Sequence, residues 1–240
     1  MYEIGELLFG RMIGPLDMAA TAATVLGVLL LCAALFLISR RNDVGWMLAV
    51  VAMLLPGFAT VLSFPHFLLD SPAAVLLFAA GAALTTVIAA GAAVYALLLF
   101  RKLPLSTPMT RTVALRPFSG PDIVGPAAVA VAYSLAASLV VVAIFTGIHS
   151  PLSSVPWLTV LLNGLLAGLV PAALVGLANR SRWAWLLFAA AAIVAIYNTV
   201  MSAQGSVLIF LYVMQASLAV IGWQRWGALT TSNSNGTAGK

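Results

Sequence analysis

Seven long apolar stretches occupy most of this chain, and none of them contains a charged residue or a histidine. Each is about twenty residues or longer, which is the length that a helix needs to cross a hydrocarbon core of about 30 Å. A composition of 63% hydrophobic and 7% charged residues is also far from that of soluble domains. The pattern therefore predicts an all-α membrane protein with seven transmembrane helices, at residues 18–39, 44–64, 72–100, 123–147, 156–178, 183–203 and 205–224.

The positive charges fall almost entirely on one side of such a topology. Ten of the eleven Lys and Arg residues follow the first, third, fifth or seventh stretch, whereas Arg11 precedes the first stretch among acidic residues. Because cytoplasmic loops are enriched in Lys and Arg, this distribution predicts an N-terminus outside the cell and a C-terminus in the cytoplasm. The competing interpretation is a basic patch for anionic partners. Orientation already accounts for the charges, so we expect no nucleic-acid partner.

A polar connection at residues 101–122 divides the spans into three, a fourth, and three more. The second and sixth spans begin with similar Asn-to-Trp segments, at residues 42–46 and 179–183, and the same offset lays the first span over the fifth. Since a single helix between two triplets gives both the same orientation, we expect a 3+1+3 arrangement of two parallel three-helix repeats, a plan that resembles that of SWEET proteins. The expected organisation is one transmembrane domain at residues 1–228, with triplets at 18–100 and 156–224 around a linker helix at 123–147. A disordered polar tail is expected at residues 229–240.

Side chains that carry out catalysis are missing from the predicted spans. The spans hold serines such as Ser134 and Ser138 but no histidine, aspartate or lysine to activate them. His66 and His149 fall in predicted outer loops, and no metal-ligating cluster is visible in the sequence. The carboxylate that proton- or sodium-coupled transport requires inside the membrane is absent as well. We therefore expect no enzyme, no cofactor and no metal site, and transport without ion coupling.

Uncharged polar and aromatic residues gather in the second triplet. Because an amide without a partner is costly to place in lipid, these side chains should point into the bundle. Amides suit a neutral polar solute, and aromatic rings suit a flat heterocycle. The alternative is that the same side chains only hold the helices together. The residues are Asn163 of the fifth span, Tyr197 and Asn198 of the sixth, and Tyr212 and Gln215 on one face of the seventh.

The second triplet also carries a set of short motifs. The sixth span begins with residues 182–185, Arg-Trp-Ala-Trp, and later contains Tyr197-Asn198. The seventh contains Leu211-Tyr212 and ends with residues 222–226, Gly-Trp-Gln-Arg-Trp. These motifs resemble the last three helices of the PnuC family of vitamin transporters, whose 3+1+3 plan covers the whole chain. The first half departs from the family pattern, because a Gly-Asn pair in the second span and a glutamine in the third are missing. Asn163 also stands where the family frequently has an aspartate.

The resemblance implies a carrier in a bacterial-type plasma membrane that facilitates diffusion of a vitamin or nucleoside-like solute. Nicotinamide riboside is the first candidate for this solute, and riboflavin, thiamine or deoxynucleosides are the next. The resemblance also implies that a cytoplasmic kinase traps the solute. The resemblance places Trp183 and Tyr197 near the substrate and also implies a homotrimer. The full set of predicted substrate-binding residues is Asn163, Trp183, Tyr197, Asn198, Tyr212 and Gln215.

Two other classes of seven-span protein make different demands on the sequence. A retinal-binding light sensor needs a lysine in its last helix, but the two lysines, Lys102 and Lys240, both lie outside the spans. A non-transporting membrane receptor or assembly factor is compatible with every feature above. Such a protein would bind its ligand or partner without uptake.

Overall fold

The computed structural model describes residues 15–40, 42–102, 120–201 and 205–236. Within these ranges the chain forms helices and connecting turns and no β-strand. Seven helical segments are long and apolar enough to cross a membrane, which confirms the class that the seven apolar stretches predict. The physical reason is that lipid offers no hydrogen-bond partners, so a spanning segment must satisfy its own backbone groups, as a helix does.

Eight α-helices of the described ranges make up the seven spans. The first four spans are α1, Pro15–Ser39; α2, Asp43–Leu62; α3, Pro72–Lys102; and α4, Gly120–Gly147. The fifth span consists of α5, Trp157–Ala167, and α6, Leu169–Ala178. The last two are α7, Ala184–Met201, and α8, Ser206–Gly236. Short 3-10 turns at His66–Asp70 and Leu152–Ser154 lead into α3 and α5.

The last helix runs further than the sequence predicts. Because α8 continues to Gly236, residues 229–236 of the expected disordered tail are helical, and residues 237–240 lie outside the described ranges. Extending a helix that has already formed avoids the unfavourable nucleation step, and each added residue gains one hydrogen bond. The polar composition of the tail does not show that the preceding span extends its helix into these residues.

The fifth span is interrupted at Gly168, where α5 ends and α6 begins. A Cβ atom at this position would lie 2.9 Å from the carbonyl oxygen of Ala130 in α4, so only glycine permits this close approach. One turn later, Pro171 has no N–H to donate to the carbonyl of Ala167. The break and the proline together interrupt the backbone hydrogen bonding of this span in the middle of the bundle.

Six of the spans close into a ring. Contacts run in the order α1, α2, α3, α6, α7 and α8, and α8 returns to contact α1. Helix α4 packs against α3, α5 and α6, at the junction between the first three spans and the last three. Each group of three therefore has its helices in sequential contact, and the third helix of each group contacts the first of the other.

The two ends of the bundle are packed differently. We call basic end the end where α1, α3 and α6 finish and α2, α4 and α7 begin, because Arg40, Arg101, Arg180 and Arg182 lie there. One hydrophobic core joins α1, α2, α3, α6, α7 and α8 from this end to the middle, and its largest buried side chains include Trp46, Trp185 and Trp226. The opposite end has two smaller separate clusters, one between α1 and α2 and the other around α3, α4 and the first 3-10 turn. A shared core thus closes the ring at the basic end.

Candidate functional site

A cavity of about 270 Å³ lies in the middle of the ring. All seven spans contribute residues to its wall. On the side of the basic end its floor is the hydrophobic core, since Leu31, Met53 and Ala89 belong to both. Towards the opposite end its wall continues to Thr60 and Asn198. The volume is close to the lower limit of small-molecule sites, so the cavity suits a small metabolite.

Two prolines leave backbone carbonyls without their usual helical donors at this cavity. Pro56 of α2 has no N–H for the carbonyl of Ala52, and Pro171 of α6 has none for that of Ala167. All four residues line the cavity. In a membrane such interrupted helices are tolerated where neighbouring groups or a cavity satisfy the freed carbonyls. The two prolines therefore leave backbone acceptors beside the cavity in two different spans.

Three threonines supply hydroxyl groups to the wall. Thr60, Thr85 and Thr86 all line the cavity, and each donates its proton to a carbonyl of its own helix, at 2.7 to 3.0 Å. Their oxygens keep acceptor capacity, because a hydroxyl oxygen can accept after it has donated. Gly57 sets the spacing between α2 and α3 here, since a Cβ atom at this position would overlap the side chain of Thr86.

Gln215 is the most deeply buried amide on the wall. Its side chain is 2% exposed and lines the cavity, and it makes no hydrogen bond with any residue in the described ranges. Tyr133 and Tyr212 also line the cavity, and their side chains have no hydrogen-bond partner in those ranges. A buried amide that stays unpaired costs free energy on the order of 1–3 kcal/mol. These three side chains are therefore groups that a polar occupant of the cavity would satisfy.

The structure brings together three of the six predicted site residues. Asn198 of α7 and Tyr212 and Gln215 of α8 line the cavity. Asn163 does not line it, although we expect an amide in a span to point inward, because its side chain is exposed. The register of α5 explains the difference: Gly164 packs against Ser134 of α4, and one residue of helix rotates a side chain by about 100°.

Trp183 and Tyr197 also lie away from the cavity. Trp183 is 51% exposed and immediately precedes α7, where its ring packs edge-on against Trp223 at a centroid distance of 5.0 Å. Tyr197 is 63% exposed, because its neighbour Asn198 takes the position on α7 that faces the cavity. Both positions suit aromatic residues that face lipid or the membrane interface.

The sequence alone does not point to a site role for Tyr133, Thr60 or Thr86. Tyr133 belongs to α4, and only its packing beside the break at Gly168 brings it to the cavity. The threonines share helical spacing with apolar residues, so nothing in the sequence separates them from packing positions. The usable signal is Pro56-Gly57, since a proline and a glycine inside a span mark a freed carbonyl and a close helix approach.

The cavity wall combines hydrogen-bonding groups with aromatic rings and contains no charged residue. No group of three or more His, Cys, Asp or Glu that could hold a metal occurs among the described residues. The arrangement can bind a small polar molecule, whereas its wall offers no acid, base or activated nucleophile for a reaction. Comparison with protein-family models, with curated proteins and with solved structures finds no match to this chain.

Proposed function

We propose that this protein is a membrane transporter that facilitates diffusion of a neutral or near-neutral vitamin or nucleoside-like solute. Nicotinamide riboside is the first candidate, and riboflavin and thiamine are next, with metabolic trapping of the solute inside the cell. The substrate assignment comes from the resemblance of the second triplet to the PnuC family. The observation that carries transport as a function is the central cavity, to which every span contributes.

The composition of the cavity supports an uncoupled carrier. Its polar groups are amides, hydroxyls and two proline-freed carbonyls, and it has no carboxylate to bind a proton or sodium ion. Gln215 is the best candidate for a direct solute contact, because its buried amide has no partner in the described part of the chain. Its two donors and its carbonyl oxygen match a carboxamide, a ribose hydroxyl or a ring nitrogen.

The packing of the bundle supports alternating access. In the proposed orientation the basic end faces the cytoplasm, so the conformation described is closed on the cytoplasmic side by the shared core. The contacts of each three-helix group support the 3+1+3 plan, because the third helix of each group contacts the first of the other, as a twofold axis requires. Solute release would then need the two groups to separate at the basic end. We extend the proposal to a homotrimer on the same family resemblance.

Uptake into liposomes that contain only the purified protein tests this function. Labelled nicotinamide riboside, riboflavin, thiamine and deoxynucleosides are offered with no ion gradient and no kinase. We expect one of them to equilibrate across the membrane faster than in protein-free liposomes, and imposed proton or sodium gradients should not change the final distribution. Saturable binding without uptake would instead favour the non-transporting receptor. Accumulation driven by an ion gradient would refute the uncoupled mechanism.

A further inference from the structure

A second concave surface lies between α4, α6 and α7 at the basic end. It is a groove of about 350 Å³, separate from the central cavity. The space exists because small residues stand where three helices meet: Ala130, Ala172, Gly176 and Ala184 all line it. Ser181, in the turn between α6 and α7, provides a hydroxyl among otherwise largely apolar lining residues. The groove is therefore apolar along its length, with the Ser181 hydroxyl at the basic end.

The rim of the groove faces the lipid. Ile123, Trp183 and Leu186 line it and are 45%, 51% and 40% exposed, so their outer surfaces contact acyl chains when the bundle is in a membrane. The ring of Trp223 supports Trp183, and the guanidinium of Arg182 stacks 4.0 Å above the Trp223 ring. The same arginine donates a hydrogen bond from Nε to the Trp223 carbonyl at 3.0 Å. This wall of the groove is thus held in place without a ligand.

Arg180 adjoins the groove residue Ser181 in the turn between α6 and α7, and its side chain has no partner among the described residues. Arg180 directly precedes Ser181 and has a positive φ of 62°. It completes a Schellman turn, in which the N–H of Arg180 bonds to Leu177 O and that of Ser181 to Gly176 O, at 2.9 and 3.0 Å. Glycine is the usual residue at this left-handed position, because a Cβ atom is strained there. The guanidinium of Arg180 makes no hydrogen bond or ion pair within the described ranges.

We propose that the groove binds an acyl chain of an anionic glycerophospholipid whose phosphate contacts Arg180 and Ser181. An apolar groove with an arginine next to its lining residue Ser181 matches both parts of such a lipid, the apolar chain and the anionic headgroup. A guanidinium can also bind two phosphate oxygens at once. A second copy of the chain fits this surface less well. The lining of the groove contains no carboxylate, so a second copy that presented this same surface would not neutralise Arg180.

Lipid binding to the purified full-length protein tests the site. Native mass spectrometry in a neutral detergent counts the bound dioleoyl phosphatidylglycerol and, separately, dioleoyl phosphatidylcholine, which has the same chains. We expect one phosphatidylglycerol site with an affinity at least tenfold above that for phosphatidylcholine. Inorganic phosphate at the same concentration should neither bind detectably nor displace the lipid, because the chain contributes most of the contact. Equal affinity for the two lipids would overturn the proposal, and so would displacement by free phosphate.

Two variants separate the chain and headgroup contributions. Ala127→Trp fills the groove from an exposed lining position and should lower phosphatidylglycerol binding at least tenfold. Ala128→Trp is the matched control, since Ala128 is also exposed on α4 but does not line the groove. Arg180→Gly removes the cation and relieves the left-handed backbone, so it should fold normally and bind both lipids alike. Unchanged phosphatidylglycerol affinity in Ala127→Trp, or a retained preference for phosphatidylglycerol in Arg180→Gly, would contradict the site. Loss of an oligomer in Ala127→Trp alone would assign the groove to a subunit interface instead.

Discussion

Arg225 donates a hydrogen bond from Nη1 to Oγ of Ser39 at 3.2 Å, and this contact joins the last helix to the first at the basic end. Ser39 in turn donates its proton to the carbonyl of Phe36 at 2.7 Å, which fixes the position of the accepting oxygen. The contact crosses the boundary between the two three-helix groups, where the proposed carrier would open at the basic end. It lies above the core that contains the three buried tryptophans.

Removing this contact should make the basic end open more often. The test uses Ala178→Cys, a buried position of the shared core, in a Cys32→Ser background. Ser39→Ala takes away the acceptor for Arg225, so we expect the alkylation rate at position 178 to rise several-fold. Ser217→Ala is the control, because Ser217 donates only to Val213 of its own helix. An unchanged alkylation rate in Ser39→Ala would mean that the contact does not hold the two groups together.

A substitution of Gln215 can distinguish a role in solute binding from a role in holding the helices together. Gln215→Leu keeps the approximate size of the side chain but removes its hydrogen-bonding groups. Because the amide has no partner in the described ranges, we expect the melting temperature to stay the same or rise. We expect affinity for the transported solute to fall about fivefold, which corresponds to one hydrogen bond of about 1 kcal/mol.

Isothermal titration and thermal unfolding of the same Gln215→Leu preparation measure both quantities. Gln224→Leu is the control, since Gln224 is exposed on the same helix and does not line the cavity. A fall in melting temperature with unchanged affinity would show that Gln215 holds helices together, which is the alternative for this class of residue.

The close approach of α2 and α3 beside the cavity depends on Gly57. Gly57→Ala adds a Cβ atom that overlaps Thr86, so we expect a loss of about 1–3 kcal/mol in stability, as for other overpacked cores. Thr86→Ala in the same chain removes two of the clashing atoms and should restore part of the loss. Gly91→Ala is the control on α3, because nothing lies within 4 Å of the added atom. Thermal unfolding in one detergent compares the stability of the wild type, Gly57→Ala, the double variant and Gly91→Ala. Equal losses of stability in Gly57→Ala and Gly91→Ala would contradict the close packing at position 57.

The seven spans could be predicted because a membrane imposes a minimum length on any apolar helix. The inward face of α8 could be predicted too, since Gln215, Ala219 and Trp226 follow helical spacing and all three are buried. Which side of a short helix faces the bundle is harder to predict, because successive side chains are rotated by about 100°. A sequence without strong amphipathicity does not show which of these side chains points inward. That is why Gly164, and not Asn163, faces the bundle in α5.

The tryptophans show the same limit. Aligning the two triplets by sequence places Trp46 over Trp183, yet Trp46 is fully buried whereas Trp183 is 51% exposed. The buried tryptophan at the start of α7 is Trp185, whose ring packs against Trp226 at a centroid distance of 5.6 Å. Gly222 permits this packing, because any side chain there would collide with the Trp185 ring. Such a contact between distant helices arises from tertiary structure and cannot be predicted from a local sequence pattern.

The orientation of the bundle is the last expectation that labelling can check. Single cysteines at Asn42 and Ser154, in a Cys32→Ser background, place one exposed thiol at the basic end and one at the opposite end. Because Lys and Arg are retained on the cytoplasmic side, an impermeant maleimide added to intact cells should label position 154 and leave position 42 unlabelled. Permeabilised cells are the control, and there both positions should react. Labelling of position 42 in intact cells would invert the orientation and place the cavity floor on the outer side.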